Sequence, residues 1–384
     1  MWPDRRLIDL FKTEFPIVLA PMAGIMDAEL VIAAAQGGAL GSLPCAMLSV
    51  EKAREQVNII RQRVSAPINM NFFVHQAVEA DPAREAQWKR RLAEYHTELG
   101  LDPAAPVTAA NRAPFDAAMC ELVEELKPEV VSFHFGLPDR TLLERVKASG
   151  SVVIASATIV KEAIWLEQNG ADAIIAQGAE AGGHRGMFLT EDIAGQPGTF
   201  ALVPQIVDAV KVPVIAAGGI ADGRGLAQAL SEGADGVWVG TRFAASTESY
   251  AHDQYKQRVL AARHADDGVI TTMFGPEWPD KPLRVLRDRV VNQWAGRESQ
   301  IPNPPPPPAV IGNTIFAGAP YAMPKFSVIL PTRDTTGDFE EMAWTAGIVS
   351  AAQIHDIKPA AQIISDMVDE ARGCLEDEAH RGDD

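Results

Sequence analysis

The sequence predicts an α/β protein built as a (β/α)8 barrel, or TIM barrel, with a helical insertion and a C-terminal extension packing over the barrel. Three observations predict this fold. Short β-branched or apolar runs alternate with longer stretches of helical spacing, and eight such runs occur. Glycine-rich turns follow the sixth, seventh and eighth runs, whereas a doubly wound sheet normally carries its phosphate turn after the first strand.

The predicted strands cover residues 17–20, 39–43, 68–73, 130–135, 152–156, 173–176, 214–217 and 236–239. The connection after the third strand is the longest within the barrel, and residues 81–100 and 114–127 both have helical spacing, so we expect the insertion there. We assign residues 1–250 to the barrel. Residues 251–384 are expected to form an extension that completes the barrel surface and the substrate pocket.

The predicted extension contains a proline run and two candidate helices. Pro302 and the prolines at 304–308 predict a stiff polyproline II strap across the barrel surface, with a ligand for a proline-binding module as the alternative. Residues 338–349 and 359–374 have helical spacing. We expect the second helix to close the barrel or to pack over its mouth, with a frayed charged terminus after it.

Composition and charge limit the partners of the protein. Apolar residues make up 47% of the chain and charged residues 22%, which is typical of globular proteins. The net charge of −17 argues against nucleic acid and anionic membrane. No apolar run approaches the length of a membrane span, and the first residues lack the apolar core of a secretory signal. We expect a small-molecule substrate, and the sequence allows a homodimer.

The cysteines predict neither a disulfide framework nor a zinc site. Cys45, Cys120 and Cys374 are an odd number without CxxC spacing, which fits a reducing cytoplasm. No HExxH motif or carboxylate cluster follows a predicted strand, so we expect no metal. A GxSxG nucleophile motif is also absent, which argues against a hydrolase.

Glycine-bearing turns after the seventh and eighth strands predict a phosphate site. Gly218, Gly219, Gly240 and Thr241 would lie side by side, because neighbouring strands of a barrel end at the same rim. Glycine lets backbone N–H groups approach a phosphate, and a following helix start adds partial positive charge. The alternative is that these glycines only permit sharp turns.

The segment AQGAEAGGHRGMF, residues 176–188, predicts a catalytic loop. Its glycine density predicts no regular secondary structure, and its single histidine, His184, would lie at the catalytic face of the barrel. An imidazole titrates near neutrality and can transfer a proton there. The alternative is that His184 caps a helix or bonds to a backbone carbonyl.

The first, third and fourth predicted strands carry further candidates. LAPMAG leaves backbone groups of Pro21, Met22 and Ala23 available to a ring edge, and PINMNFF places Asn69, Asn71 and Phe73 on one inward face. A flavin or other core polar groups could equally satisfy the two amides. His75 and His134, at the ends of the third and fourth strands, could likewise contact a ligand or bond to other core polar groups.

The ordered segments LAPMAG, NMNFF, SFHFG, AQGAEAGGHRG, IAAGGIADGRG and GVWVGTRF resemble the nitronate monooxygenase family, formerly called 2-nitropropane dioxygenases. The resemblance covers residues 15–245 closely and the remainder loosely. It implies a TIM barrel with non-covalent FMN that oxidises alkyl nitronates with O2 to carbonyl compounds and nitrite.

The resemblance also implies roles for individual residues. His184 matches the active-site histidine, and Gly218, Gly219, Gly240 and Thr241 match the ligands of the FMN phosphate. His134, Tyr321 and Lys325 match the substrate side. Positions around the isoalloxazine ring and ribityl chain are matched by Met22, Asn71, Gln177 and Gly183. Pro21, Ala23 and Gly182 are further expected cofactor-binding residues.

The sequence departs from the family pattern in two places. Ala317 stands where a second pocket tyrosine is expected, and Trp238 replaces the glutamine usual before the final GT. Both departures bear on the substrate. An NAD(P)H-dependent FMN reductase of quinones or enoyl thioesters is the alternative activity, because related barrels share the GGH loop and the phosphate-binding turns. A flavin-carrying protein without catalysis is a third.

Overall fold

The computed structural model describes residues 2–75, 114–275, 281–301, 310–316 and 318–382, with the isolated positions 86 and 90. The predicted helix over residues 81–100, the proline run and Ala317 lie outside these residues. In the described ranges, none of the helices combines the length and hydrophobicity needed to cross a bilayer.

Eight parallel strands form the barrel, in the order β1, β8, β7, β6, β5, β4, β3 and β2 around the sheet. Their bounds are β1 (Ile17–Leu19), β2 (Gly41–Pro44), β3 (Ile68–Phe73), β4 (Val130–His134), β5 (Val152–Ala157), β6 (Ala173–Gln177), β7 (Val214–Ala217) and β8 (Gly236–Val239). A parallel bridge between Val18 and Leu40 joins the two ends of the sheet. The predicted barrel is confirmed, with each strand end within two residues of its prediction.

The described helices are α1 (Arg6–Phe11), α2 (Ala28–Gln36), α3 (Val50–Arg63), α4 (Ala117–Leu126), α5 (Arg140–Ala148), α6 (Val160–Gln168), α7 (Thr199–Ala209), α8 (Gly223–Ser231), α9 (Thr241–Ala244), α10 (Asp253–Ala261), α11 (Arg289–Trp294), α12 (Ile348–Gln353) and α13 (Ala360–Gly382). The helix predicted over residues 114–127 is confirmed as α4. Helix α1 closes the amino-terminal end of the barrel, where Leu7 and Phe11 pack against Val18 and Ile215.

Strand β3 shows why the polar side chains point into the barrel. Its alternate residues Ile68, Met70 and Phe72 pack in the core between strands and helices. Asn69 and Asn71 point the other way, and the Asn69 Nδ2 donates to the hydroxyls of the serines at 42 and 132 at 2.9 Å. The predicted common face of the two asparagines is confirmed.

The last helix takes the eighth position in the ring of helices. Helix α13 packs between α8 and α2, and its Ile364 and Met367 belong to the core between strands and helices. It therefore closes the barrel and does not cover the mouth. The expected fraying of the charged terminus is wrong as far as Gly382, where α13 ends. The Ser231 hydroxyl of α8 donates to Glu378 at 2.7 Å and so holds this end of α13 against α8.

The described residues of the segment between α9 and α13, residues 245–359, cover the carboxyl-terminal end of the barrel and are called the cap below. The cap contains β9 (Gly268–Thr271), β10 (Leu283–Leu286), β11 (Val310–Phe316) and β12 (Ala319–Pro324). Strand β10 pairs antiparallel with β9 on one side and with a two-residue strand, Gly183–His184, on the other. The prediction of no regular structure at this position is wrong, because a strand distant in sequence supplies the partner.

The predicted helix over residues 338–349 is also wrong. Phe339–Glu341 form one turn of 3-10 helix, residues 342–347 have no regular structure apart from an isolated bridge between Thr345 and Val285, and helix resumes only at α12. The Leu286 N–H of β10 donates to the Trp344 carbonyl at 2.8 Å, and the Trp344 side chain is fully buried. Pairing and burial in the cap therefore override the helical spacing.

Candidate active site

A cavity of about 240 Å³ lies between the carboxyl-terminal ends of the barrel strands and the cap. This end of the barrel is where enzymes of this fold carry their active sites. Predicted site residues from six strands meet there: Pro21, Met22, Ala23, Asn71, His134, Gln177, Gly182, Gly183, His184, Gly218, Gly240 and Thr241 line the cavity. The fold therefore assembles in one place what the sequence presents in separate turns.

The turn after β7 requires glycine for two separate reasons. Gly218 and Gly219 have φ of +112° and +73°, angles that residues with a Cβ rarely adopt. A Cβ at Gly218 would lie 2.7 Å from the Ala181 nitrogen and 2.9 Å from the Thr199 hydroxyl oxygen. At Gly219 the nearest atoms would be 3.4 Å away, which is ordinary contact. A side chain at Gly218 is therefore disfavoured both by its neighbours and by its backbone angle, whereas one at Gly219 is disfavoured only by its backbone angle.

The turn after β8 leads into a helix of four residues. Gly240 is the N-cap of α9 and Thr241 its first residue. A short extra helix in this place is a frequent phosphate-binding element of the fold. The Thr241 hydroxyl accepts a hydrogen bond from the Gly347 N–H at 2.9 Å, which leaves its own proton for another acceptor.

The neighbouring helix start, that of α7, is already capped by the protein. The Glu180 carboxylate accepts from the Thr199 N–H at 2.7 Å and from the Thr199 hydroxyl at 3.0 Å. A second anion would be repelled there. A ligand phosphate therefore fits at the turns after β7 and β8 rather than at α7.

The loop that carries His184 is fixed by its neighbours. The Gln177 Nε2 donates to the His184 carbonyl at 3.0 Å, and the Gln177 Oε1 accepts from the Gly186 N–H at 2.7 Å. Arg185, which is 1% exposed, donates to the Gln177 and Gly178 carbonyls at 2.9 and 2.7 Å. His184 therefore reaches the cavity wall from a backbone that is hydrogen-bonded on several sides.

Comparison with known proteins agrees with this geometry. The family model described as nitronate monooxygenase matches residues 4–370. The chain belongs to the nitronate monooxygenase family. It is 40% identical over 257 residues to the nitronate monooxygenase of Paraburkholderia phytofirmans, covering 67% of this chain and 70% of that one. It is 34% identical over 371 residues to the nitronate monooxygenase of Pseudomonas aeruginosa, covering 96% and 99%.

Solved structures show the same architecture. Nitroalkane oxidase from Streptomyces ansochromogenes is 28% identical with a TM-score of 0.71, covering 96% of this chain and 98% of that one. FabK from Thermotoga maritima is 26% identical with a TM-score of 0.69, covering 98% of each chain. Both similarities extend through the cap as well as the barrel.

Asn71 and Gln177, which both match cofactor positions of the nitronate monooxygenase family, differ in the hydrogen bonds of their side chains. The Asn71 Nδ2 donates to the Ser132 hydroxyl at 2.9 Å, so its Oδ1 is the atom that can accept from a ligand. The amide nitrogen and the amide oxygen of Gln177 instead both bond to the His184 loop. Of these two amides, Asn71 is the one placed to contact a ring.

His134, which the family pattern puts on the substrate side, has both ring nitrogens in hydrogen bonds within the protein. Its Nδ1 lies 2.6 Å from the Ser156 hydroxyl oxygen, and its Nε2 lies 3.2 Å from the His184 carbonyl oxygen. Burial, and to a smaller extent the nearby Arg185, lower the pKa of His134 to about 4, although the bond to the His184 carbonyl raises it. The ring is neutral near pH 7.

Three predicted site residues do not line the cavity. Gly219 lies next to its wall in the turn after β7. The Tyr321 ring lies 5.5 Å from the ring of Phe316, which does line the cavity, at an angle of 50°. Lys325 instead pairs with the buried Glu341 at 2.8 Å in the cap. Of Tyr321 and Lys325, Tyr321 is therefore the one that packs next to a residue of the cavity wall.

The cap contributes wall residues that the sequence analysis did not select: Tyr255, Phe316, Val328, Ile329, Leu330, Thr345 and Ala346. Tyr255 is 1% exposed and its hydroxyl donates to the Thr345 carbonyl at 2.7 Å. Burial raises the pKa of Tyr255 well above its usual value. These residues follow no motif, and only the apolar character of residues 328–330 could have suggested a wall.

Proposed function

We propose that this protein is an FMN-dependent nitronate monooxygenase that oxidises alkyl nitronates with O2 to carbonyl compounds and nitrite. The observation that carries the proposal is that His184 and the glycine turns after β7 and β8 line the same cavity. Family membership supports the reaction, and the cavity supports the cofactor. A cytoplasmic location and a homodimer remain predictions from the sequence.

The residues present fit non-covalent FMN. Among the described residues, those that line the cavity include no carboxylate, and the Glu180 carboxylate beside the turn after β7 is held by the N–H and hydroxyl of Thr199. The Gly218 and Gly240 turns and the Thr241 hydroxyl would hold the phosphate, with the start of α9 adding partial positive charge. Pro21, Met22, Ala23 and Asn71 would contact the ring. When bound, FMN would supply the electron acceptor for the substrate and the site of reaction with O2.

The chain itself binds, orients and shields the substrate. In its protonated form His184 would stabilise the negative nitro oxygens of a nitronate, and as a neutral base it could take the α-proton of a nitroalkane. Most of the remaining wall is apolar, including Phe73, Ile175 and Leu330. Such a wall excludes water and strengthens the attraction between an anion and His184.

The test is anaerobic mixing of the purified flavoprotein with propyl-1-nitronate or propyl-2-nitronate while the visible absorbance of the flavin is followed. We expect reduction of the flavin by nitronate, and release of nitrite when air is admitted. NADH and NADPH are added in separate runs. Bleaching by a pyridine nucleotide alone would assign the protein to the alternative, an FMN reductase of quinones or enoyl thioesters. Protein that contains no flavin would contradict both activities.

A further inference from the structure

The hydrogen bonds around His134 determine which nitrogen of its ring carries the proton. The Nε2 lies 3.2 Å from the His184 carbonyl oxygen, which can only accept, so Nε2 must be the donor. The Nδ1 lies 2.6 Å from the Ser156 hydroxyl oxygen. In the neutral ring Nδ1 is then the acceptor, and the hydroxyl donates to it.

The surroundings of the ring favour this neutral form. Burial lowers the pKa of His134 to about 4. Among the described residues, the charged or titratable side chains near it include Arg185 and His184 of the loop, His75, which lines the same cavity, and Lys281, whose Nζ lies 5.6 Å from the centre of the Phe135 ring. Of these, the buried guanidinium of Arg185 further disfavours a second positive charge. A neutral ring is a poor electrostatic partner for an anionic substrate but a good fixed donor.

Close packing holds the ring and the loop against each other. Phe135 has φ of +72°, a strained angle for a bulky residue, and its ring lies 4.4 Å from the imidazole of His134. A Cβ at Gly186 would lie 2.5 Å from the Ser156 hydroxyl oxygen and 2.6 Å from the His134 Cε1. The loop therefore passes directly over the pair formed by His134 and Ser156.

We propose that His134 is a positioning residue for His184. As the neutral Nε2–H tautomer, fixed by Ser156, it holds the His184 carbonyl together with Gln177. Two donors on one carbonyl oppose rotation of that peptide plane, and such a rotation would turn the His184 ring away from the cavity. This role replaces the substrate contact that the family pattern implies for His134, and its effect on turnover rests on the proposed function.

A matched pair of substitutions separates the two roles. In His134→Gln the side-chain amide reaches the place of Nε2 and can still donate to the His184 carbonyl. In His134→Asn the amide reaches only the place of Nδ1 and keeps the contact with Ser156. We expect His134→Gln to retain kcat within about threefold and His134→Asn to lower kcat about tenfold, because one hydrogen bond is lost. KM should change little in both.

Equal losses in the two variants with a rise in KM would show that His134 acts on the substrate, and would overturn the proposal. No loss in either variant would also overturn it.

The second measurement does not depend on turnover. In ¹⁵N-histidine-labelled wild-type holoenzyme, with His134 assigned from the signals missing in His134→Gln, we expect a neutral Nε2–H ring throughout the neutral pH range.

A His134 signal that titrates near neutrality, or that shows the Nδ1–H tautomer, would overturn the proposal whatever the substrate is. If the labelled protein shows the expected tautomer but does not oxidise nitronates, the proposed function fails and the positioning of His184 stands. His134 can be assigned from the signals missing in either variant, so the wild-type spectrum keeps the test decisive if one of them fails to fold.

Discussion

Substitution of Gly218 by alanine tests the phosphate site quantitatively. The backbone angle of +112° costs a residue with a Cβ about 1–2 kcal/mol. The new Cβ would also lie 2.7 Å from the Ala181 nitrogen, and overpacking of this kind costs about 1–3 kcal/mol. The free protein can relax the turn, whereas binding of a phosphate requires the original shape. We therefore expect FMN to bind at least about thirtyfold more weakly, corresponding to about 2 kcal/mol.

Two other glycines provide matched controls. Gly219→Ala has the strained angle of +73° but only ordinary contacts, so FMN affinity should fall a few-fold. Gly150→Ala has an angle of +95° in open space between α5 and β5, before the amino-terminal end of that strand and therefore at the opposite rim of the barrel from the site. It should lower the free energy of unfolding by about 1 kcal/mol and leave FMN affinity unchanged.

The assay is titration of apoprotein with FMN, followed by the quenching of flavin fluorescence, together with thermal unfolding with and without FMN. The order of affinities should be wild type and Gly150→Ala, then Gly219→Ala, then Gly218→Ala. If Gly218→Ala bound FMN within about threefold of wild type, the assignment of the phosphate to this turn would be refuted.

Three further predictions concern the loop and the cap. Burial raises the pKa of Asp288 to about 7, so the folded protein keeps a proton that the unfolded chain releases near pH 4, and the free energy of unfolding falls as pH rises through this window. Asp288→Asn keeps the cap on the Val291 N–H and should be more stable than wild type by about 2 kcal/mol at pH 8 but not at pH 4, in urea unfolding. Arg185→Lys cannot serve the three acceptors of the guanidinium and should lose about 2 kcal/mol of stability; unchanged urea midpoints would contradict this. Lys325→Ala should leave the KM for alkyl nitronates within about twofold, because Lys325 pairs with Glu341 in the cap; a tenfold rise in steady-state KM would place it at the substrate.

Much of the fold and of the cavity follows from the sequence alone. Each barrel strand carries its own local signal, a short apolar run bounded by turn residues, so all eight were located without knowledge of their partners. The turns at Gly218 and Gly240 and the loop of His184 were also locatable, because glycine density is a property of the chain itself. Parallel strands then bring these turns to one rim.

Tertiary structure decided which of these side chains a ligand can reach. Gln177 and His134 carry polar groups suited to a ligand, yet Gln177 bonds to the His184 loop, and His134 bonds to that loop and to Ser156. Lys325 was expected at the substrate but pairs with Glu341. A polar side chain bonds to whichever partner the fold brings within reach, and the local spacing of residues in the sequence does not encode that partner.

The cap shows the same limit for the backbone. Gly183–His184 form a strand and residues 342–347 are not helical, because β10 pairs with the former and its Leu286 N–H donates to the Trp344 carbonyl. The sequence determined the barrel, its glycine turns and the position of the His184 loop, since local periodicity and glycine content encode them. Only the tertiary structure decided the cap and the bond from His134 to the His184 carbonyl. Strand β10 lies about 100 residues after Gly183–His184, and His134 lies 50 residues before His184, and pairing between segments so distant in the chain overrides local propensity.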